Sequence, residues 1–282
     1  MKNILMIGNS SCYYYVDELC GIAAAVGHDI NLCNLYYAGC SLKKHWEFYT
    51  NNSEEYEFYH TTNEKRVMLS IKNFTGALEY AKSTLGRDWD MISLQQSGYY
   101  ALVGTVEYAR PFTLPYAKDL FSVIRKNSPE AALYWHQAWA YELGFGENKA
   151  DEREHITTLE KQTKHYTVGK EIAYMVAGAE NLQVIPVGDA WQIVRANKST
   201  IGQTLCARKG VNHDLGDHEH DGDIGGGQYL NACVWFEVLM KESCIGNTWR
   251  PDNYELSEKK IEILQKAAHD AVAAVYGADY AK

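Results

Sequence analysis

The stretch Lys2-Asn3-Ile4-Leu5-Met6-Ile7-Gly8-Asn9-Ser10-Ser11 begins as an apolar run and is cut short by Gly-Asn-Ser. A short continuous apolar run bounded by turn residues reads as a strand buried on both faces, the pattern of a parallel sheet. In open α/β sheets ligands bind outside the carboxyl ends of the strands, near the point where strand order reverses, and a first strand is commonly central. The turn therefore delivers a hydroxyl to the sheet edge, and Ser10 is the candidate nucleophile.

The chain that follows alternates strands with helices. Val16, Leu19, Cys20, Ala23 and Val26 keep helical spacing and Gly27 stops them, while 29–37 reads as a second strand ending in Ala38-Gly39-Cys40-Ser41-Leu42. A polar-aromatic excursion containing His45 and Trp46 then leads into a hairpin in which Tyr56, Phe58 and His60, then Val67, Leu69 and Ile71, alternate. Residues 75–85 suit a helix, and the third strand, 89–94, stops at Gln95-Gln96-Ser97-Gly98. A helical segment over 106–126 carries Pro111 and Pro115 as expected interruptions. The fourth strand, 131–135, is followed by His136-Gln137-Ala138-Trp139-Ala140-Tyr141. A loop (144–153), a helix (154–177), a fifth strand (182–187), a helical piece (189–196) and an irregular loop (197–226) come next. Two helices, with Tyr229, Ala232, Cys233, Phe236 and Met240 on one face and Ile261, Leu264, Ala268, Val272 and Val275 on the other, close the chain. This order predicts an α/β fold: a five-stranded parallel sheet in flavodoxin-like order 2-1-3-4-5, covered by helices on both faces, with a small hairpin excursion.

Composition narrows the function. The 282 residues suit a single domain spanning 1–282, and 46% apolar with 22% charged residues is globular. No apolar run approaches the roughly 18 residues of a membrane span, and a net charge of −9 opposes the phosphate neutralisation that nucleic-acid binding requires. The opening residues lack the long apolar region of a secretory signal, so a cytoplasmic protein is expected. Seven cysteines without C-x-x-C spacing fit reduced thiols better than a disulfide framework or a zinc ribbon. The 21 Tyr and 7 Trp are plentiful for a chain of this length, and aromatic rings at this density often stack on sugars.

A serine hydrolase needs a hydroxyl, a histidine to take its proton, a carboxylate to orient that histidine and donors aimed at the developing oxyanion. Ser10 follows the first strand, Gly39 the second and Gln95-Gln96 the third, while Asp217-His218-Glu219-His220 lies in the late loop. Read in order, Gly-Asn-Ser, Ala-Gly-Cys-Ser-Leu, Leu-Gln-Gln-Ser, Trp-His-Gln-Ala-Trp-Ala-Tyr and Asp-x-x-His before a Tyr-Leu helix resemble the SGNH (GDSL-type) hydrolases, and more narrowly a bacterial branch of that superfamily.

That resemblance implies a flavodoxin-like three-layer α/β/α sandwich and an esterase, lipase, thioesterase or carbohydrate O-deacetylase that needs no cofactor. Carried over position by position, it implies a triad of Ser10, Asp217 and His220, with oxyanion donors from Ser10, Gly39 and Gln96. Two positions depart from the family pattern: Asn9 stands where Asp is usual and Gln96 where Asn is usual, with Gln95 as a substitute donor. The expected substrate is a small-molecule or oligosaccharide ester carrying a short acyl group, most simply acetyl. The expected substrate-binding residues are Gln95, His45, Trp46, Trp135, His136, Trp139 and Tyr141. Two other readings stand beside this one: a non-catalytic carbohydrate-binding protein on the same fold, and a metal-dependent hydrolase centred on the His- and Asp-rich run 213–223.

Overall fold

A computed structural model describes residues 1–63, 65–141, 145, 150–196, 226–252 and 255–282. The opening run forms β1 (Lys2–Gly8), and its side chains divide between two cores. Because successive strand residues point to opposite faces, Ile4 and Met6 enter one layer and Leu5 and Ile7 the other. The next strand, β2 (Ile30–Tyr36), repeats the division, with Ile30 and Leu32 on one side and Cys33 and Leu35 on the other. Both strands send apolar side chains to both faces because helices cover both faces of the sheet, and the buried Asn3, Asn31 and Asn34 are paired by hydrogen bonds.

Helix α1 (Val16–Ala24) lies between β1 and β2. After β2, Ser41 accepts from the Lys44 N–H at 3.3 Å and starts α2 (Leu42–Thr50), a helix within what reads from sequence as an irregular excursion. The hairpin strands are β3 (Glu57–Thr61) and β4 (Arg66–Leu69), followed by α3 (Phe74–Tyr80) and a π-type turn that ends at Gly86. Next come β5 (Met91–Leu94), α4 (Gly98–Leu102), α5 (Val106–Asn127), β6 (Ala132–His136), α6 (Leu159–Glu180), β7 (Gln183–Ile185) and α7 (Val187–Ala196). The described chain closes with α8 (Gly227–Met240) and α9 (Glu258–Tyr276).

Among the described residues the sheet has seven strands in the order β4-β3-β2-β1-β5-β6-β7, not five. The five parallel strands take the expected order, but β3 pairs antiparallel with β2, and β4 with β3, so the sheet is mixed. The physical reason is the open edge of β2, whose unpaired N–H and C=O groups accept another strand. The hairpin supplies one, anchored by Phe58 in the core. One helical layer comprises α1, α7, α8 and α9, and the other α2, α3, α5 and α6. Among the described residues no helix is long and apolar enough to cross a membrane.

Two helix boundaries differ from the sequence reading. Pro111 and Pro115 do not interrupt α5, which runs through both. They lie four residues apart on the exposed side, so the carbonyls of Glu107 and Pro111 that lose their N–H partners also face solvent, where water can serve them. Helix α6 begins at Leu159 and not at 154, because Thr158 takes the cap position and accepts from the Lys161 N–H at 3.2 Å.

Candidate active site

The carboxyl ends of β1, β2 and β5 open into a cleft of about 280 Å³, where Ser10 and Gly39 face Ser97 and Gly98. Tyr99, Tyr141, Phe145 and Glu154 complete its walls. This is the crevice beside the strand from which the order runs both ways, where open α/β sheets bind their ligands.

Ser10 starts a 3₁₀ turn (Ser10–Cys12) closed by the Cys12 N–H on the Asn9 carbonyl and the Tyr13 N–H on the Ser10 carbonyl, both at 3.1 Å. Asn9 organises the surroundings with one amide. Its Oδ1 accepts from the Ser11 N–H at 3.0 Å and from Gln95 Nε2, and its Nδ2 donates to the Cys40 carbonyl at 3.1 Å. The ends of β1, β2 and β5 are thereby tied together around the serine. A carboxylate could make the two accepting bonds but not the donating one, which is the physical reason an asparagine suits this position. Gly8 is required beneath it, since a Cβ there would lie 2.6 Å from Gln95 Cγ.

Gly39 is the third residue of a turn closed by the Cys40 N–H on the Tyr37 carbonyl, and its φ of +62° is the conformation that favours glycine. A Cβ on Gly39 would meet nothing within 4 Å, so backbone direction, and not close approach, demands the glycine.

Gln96 is not directed at the cleft. Its Oε1 accepts from the Leu42 N–H at 3.0 Å and the Ser97 N–H at 2.9 Å, and its Nε2 donates to the Phe112 carbonyl at 2.9 Å and Thr113 Oγ1 at 3.0 Å. Both amide hydrogens are committed, and one accepted bond satisfies the first N–H of α2, which has no partner inside its own helix. Gln95 is equally buried, donating to Asn9. Gln96 is thus a strut between β5, α2 and α5. Gln96→Ala should cost about 2–5 kcal/mol of stability, since each buried group left unsatisfied costs about 1–3 kcal/mol. Urea denaturation checks this, and unchanged unfolding would show that the amide is not what holds the three elements together.

The aromatic residues expected at the rim mostly lie inside. Trp135 packs in the core under α5 and α6, Trp139 stacks on Trp191 with ring centroids 5.4 Å apart, and Trp46 is half-buried against Tyr49. His45 is fully buried, its Nδ1 2.7 Å from the Tyr56 hydroxyl. His136 is buried as well, and its Nδ1 accepts from Trp235 Nε1 at 3.1 Å, which assigns the proton to Nε2 because an indole can only donate. These are core positions because helices close over both faces of the sheet. Tyr141 does reach the cleft: its carbonyl accepts from Gln162 Nε2 at 2.9 Å and its ring stacks on Phe145 at 4.0 Å. Gly98 makes room for it, since a Cβ there would lie 2.1 Å from the Tyr141 hydroxyl oxygen.

Burial depresses both His45 and His136 to about 3. An unfolded chain takes up these protons near 6.5, so between about 6.5 and 3 the unfolded state binds more protons, and stability present above 6.5 is lost as pH falls through that window. Each histidine contributes a slope of about 1.4 kcal/mol per pH unit there. His136→Gln, whose amide oxygen can still accept from Trp235, should flatten the acid limb by about that amount in urea titrations between pH 6 and 4. An unchanged slope would show that His136 titrates alike in both states.

Sequence reading missed Ser97, Gly98, Tyr99, Phe145 and Glu154. Ser97 and Gly98 adjoin the Gln-Gln pair, so the strand end itself was the available signal. Tyr99 is fixed by a network: its hydroxyl donates to Asp151 Oδ2 at 2.7 Å and accepts from Tyr108 at 3.2 Å and Arg153 at 3.0 Å. The Arg153 guanidinium, then the Tyr99 hydroxyl, hold the Asp151 carboxyl well below the usual carboxylate range. Asp217, His218, His220 and the run 213–223 lie outside the described residues. Among the described residues no group of three or more His, Cys, Asp or Glu is arranged to hold a metal ion.

The chain matches no curated protein. Over 100% of its length it is similar to a DUF4886 family protein of Bacteroides uniformis, with 25% identity and a TM-score of 0.75, covering 97% of that chain. A lipase/acylhydrolase of Enterococcus faecalis (16% identity, TM-score 0.44, 85% of this chain and 95% of that one) is more distant. So is a GDSL-like lipase of Bacteroides thetaiotaomicron (10%, 0.42, 85% and 88%), and neither bears on the chemistry. The profile of the domain of unknown function DUF4886 matches residues 3–271, and this chain belongs to the DUF4886 family.

Proposed function

We propose that this protein is a serine ester hydrolase with Ser10 as its nucleophile. The supporting observation is the position of Ser10: on a tight turn at the carboxyl end of the central strand, 8% exposed, in a cleft it shares with Gly39. The ordered blocks that resemble SGNH hydrolases add to it. In this reading Ser10 Oγ attacks an acyl carbonyl, His220 takes its proton and Asp217 orients His220. The N–H groups of Ser10 and Gly39 receive the oxyanion, and water then cleaves the acyl-enzyme.

The cleft volume, about 280 Å³, falls just below the usual range of ligand pockets, about 300–1,000 Å³. That favours a short acyl group, most simply acetyl, over a fatty chain. The stacked Tyr141 and Phe145 and the neighbouring Tyr99 offer ring faces suited to a sugar carrier. A fluorophosphonate should label the wild-type protein once, at Ser10, and 4-nitrophenyl acetate should be hydrolysed faster than the octanoate. Absence of labelling, or labelling elsewhere, would overturn the hydrolase reading, whereas preference for octanoate would overturn only the short-acyl part.

A further inference from the structure

The end of β5 presents three polar side chains in succession, and only the last lines the cleft. Gln95 is 1% exposed with its amide on Asn9, and Gln96 is 2% exposed with both amide hydrogens on Phe112 and Thr113. Ser97, also buried at 7% exposed, lines the cleft with Ser10 and Gly39. Its backbone is held at both ends: the N–H donates to Gln96 Oε1 at 2.9 Å, and the carbonyl accepts from Tyr100 and Ala101 at 3.0 and 2.9 Å.

Ser97 also occupies the N-cap position of α4, with the extended backbone (φ −61°, ψ 146°) that such a position takes. A serine there ordinarily turns its oxygen back onto an N–H of the first turn. Here the hydroxyl makes no such bond. A hydroxyl on a residue that lines the same cleft as the candidate nucleophile, on a fixed backbone and making no capping bond, is free to serve that cleft. A serine hydroxyl is among the side chains that can serve an oxyanion.

Resting on the ester-hydrolase reading, we propose that Ser97 Oγ–H is the side-chain donor to the oxyanion formed when Ser10 attacks. It stands in the place the sequence blocks give to Gln96, one residue further along the chain. No atom is transferred to or from Ser97: its O–H donates a hydrogen bond that strengthens as the carbonyl oxygen becomes negative. The network of Gln96 then has a second role, since its bond to the Ser97 N–H fixes the backbone that carries this hydroxyl.

The test compares Ser97→Ala and Ser97→Thr with the wild type on 4-nitrophenyl acetate, alongside fluorophosphonate labelling and thermal unfolding. Ser97→Ala should lower kcat about 10²-fold, the lower range for loss of one oxyanion donor, with KM within a few-fold because the bond forms chiefly in the transition state. Ser97→Thr, which keeps the hydroxyl, should recover most of the rate, and both variants should unfold within a few degrees of the wild type. Unchanged kcat in Ser97→Ala, with the wild type still labelled at Ser10, would overturn the role of Ser97 and leave the hydrolase reading standing. A raised KM with unchanged kcat would equally overturn it, by making Ser97 a ground-state contact. A wild type that neither labels nor turns over esters would remove both.

Discussion

Ser10→Ala is expected to reduce the hydrolysis of small aryl acetates by about 10⁴ to 10⁶-fold, the usual loss for one member of a triad that acts as a unit. That corresponds to about 5–8 kcal/mol of lost transition-state stabilisation, far more than any single contact contributes to the fold. The fold should survive, because the turn is held by three bonds made by backbone groups and the Asn9 amide. They run from Cys12 N–H to the Asn9 carbonyl, from Tyr13 N–H to the Ser10 carbonyl and from Ser11 N–H to Asn9 Oδ1. Steady-state kinetics beside a thermal melt checks both halves. A variant that keeps its turnover would remove Ser10 from the chemistry, and one that loses turnover by unfolding would show the hydroxyl to be structural.

His220→Ala should abolish the same activity, Asp217→Asn should reduce it strongly, and His218→Ala should cost less than about tenfold. The ranking rests on spacing: with Asp217 three residues before His220, a turn there would bring the carboxylate to Nδ1 and leave Nε2 for the serine, the tautomer a triad requires. His218 directly follows Asp217, a spacing that would not offer the same reach. Since the base acts when neutral, kcat/KM should rise with pH through about 6 to 7, the ordinary range of histidine. The buried pair His45 and His136, held near 3, cannot produce that limb. The reverse ranking of the two histidines would move the base to His218. Activity lost to EDTA and restored by added metal would replace the triad with a metal site in 213–223.

Much of the architecture was legible from local pattern. The run from Ile4 to Ile7, bounded by Gly8 and Asn9, announces a strand apolar on both faces because both faces are covered, and the Gly-Asn-Ser turn announces the hydroxyl at its end. The alternation around Phe58 announces the hairpin, but its partner was not visible: pairing with β2 is a contact between residues some 25 positions apart, from Leu32↔Thr61 to Tyr36↔Glu57. Pro111 and Pro115 read as breaks because proline removes a donor. Only the solvent exposure of that side of α5 makes the loss tolerable.

At the site, sequence by itself determined the strand ends, and with them that Ser10, Gly39 and the end of β5 meet at one edge of one sheet. It could not choose among Gln95, Gln96 and Ser97, because that choice depends on distant neighbours: Asn9 for the first, and Leu42, Phe112 and Thr113 for the second. Nor could the aromatic residues at 135, 139 and 141 be sorted by composition, since a ring at a strand end can pack equally well under a helix or along a cleft. Tertiary structure decided it through distant partners: Gln96 is consumed holding β5, α2 and α5 together, Gln95 donates to Asn9, and the serine beside them lines the cleft.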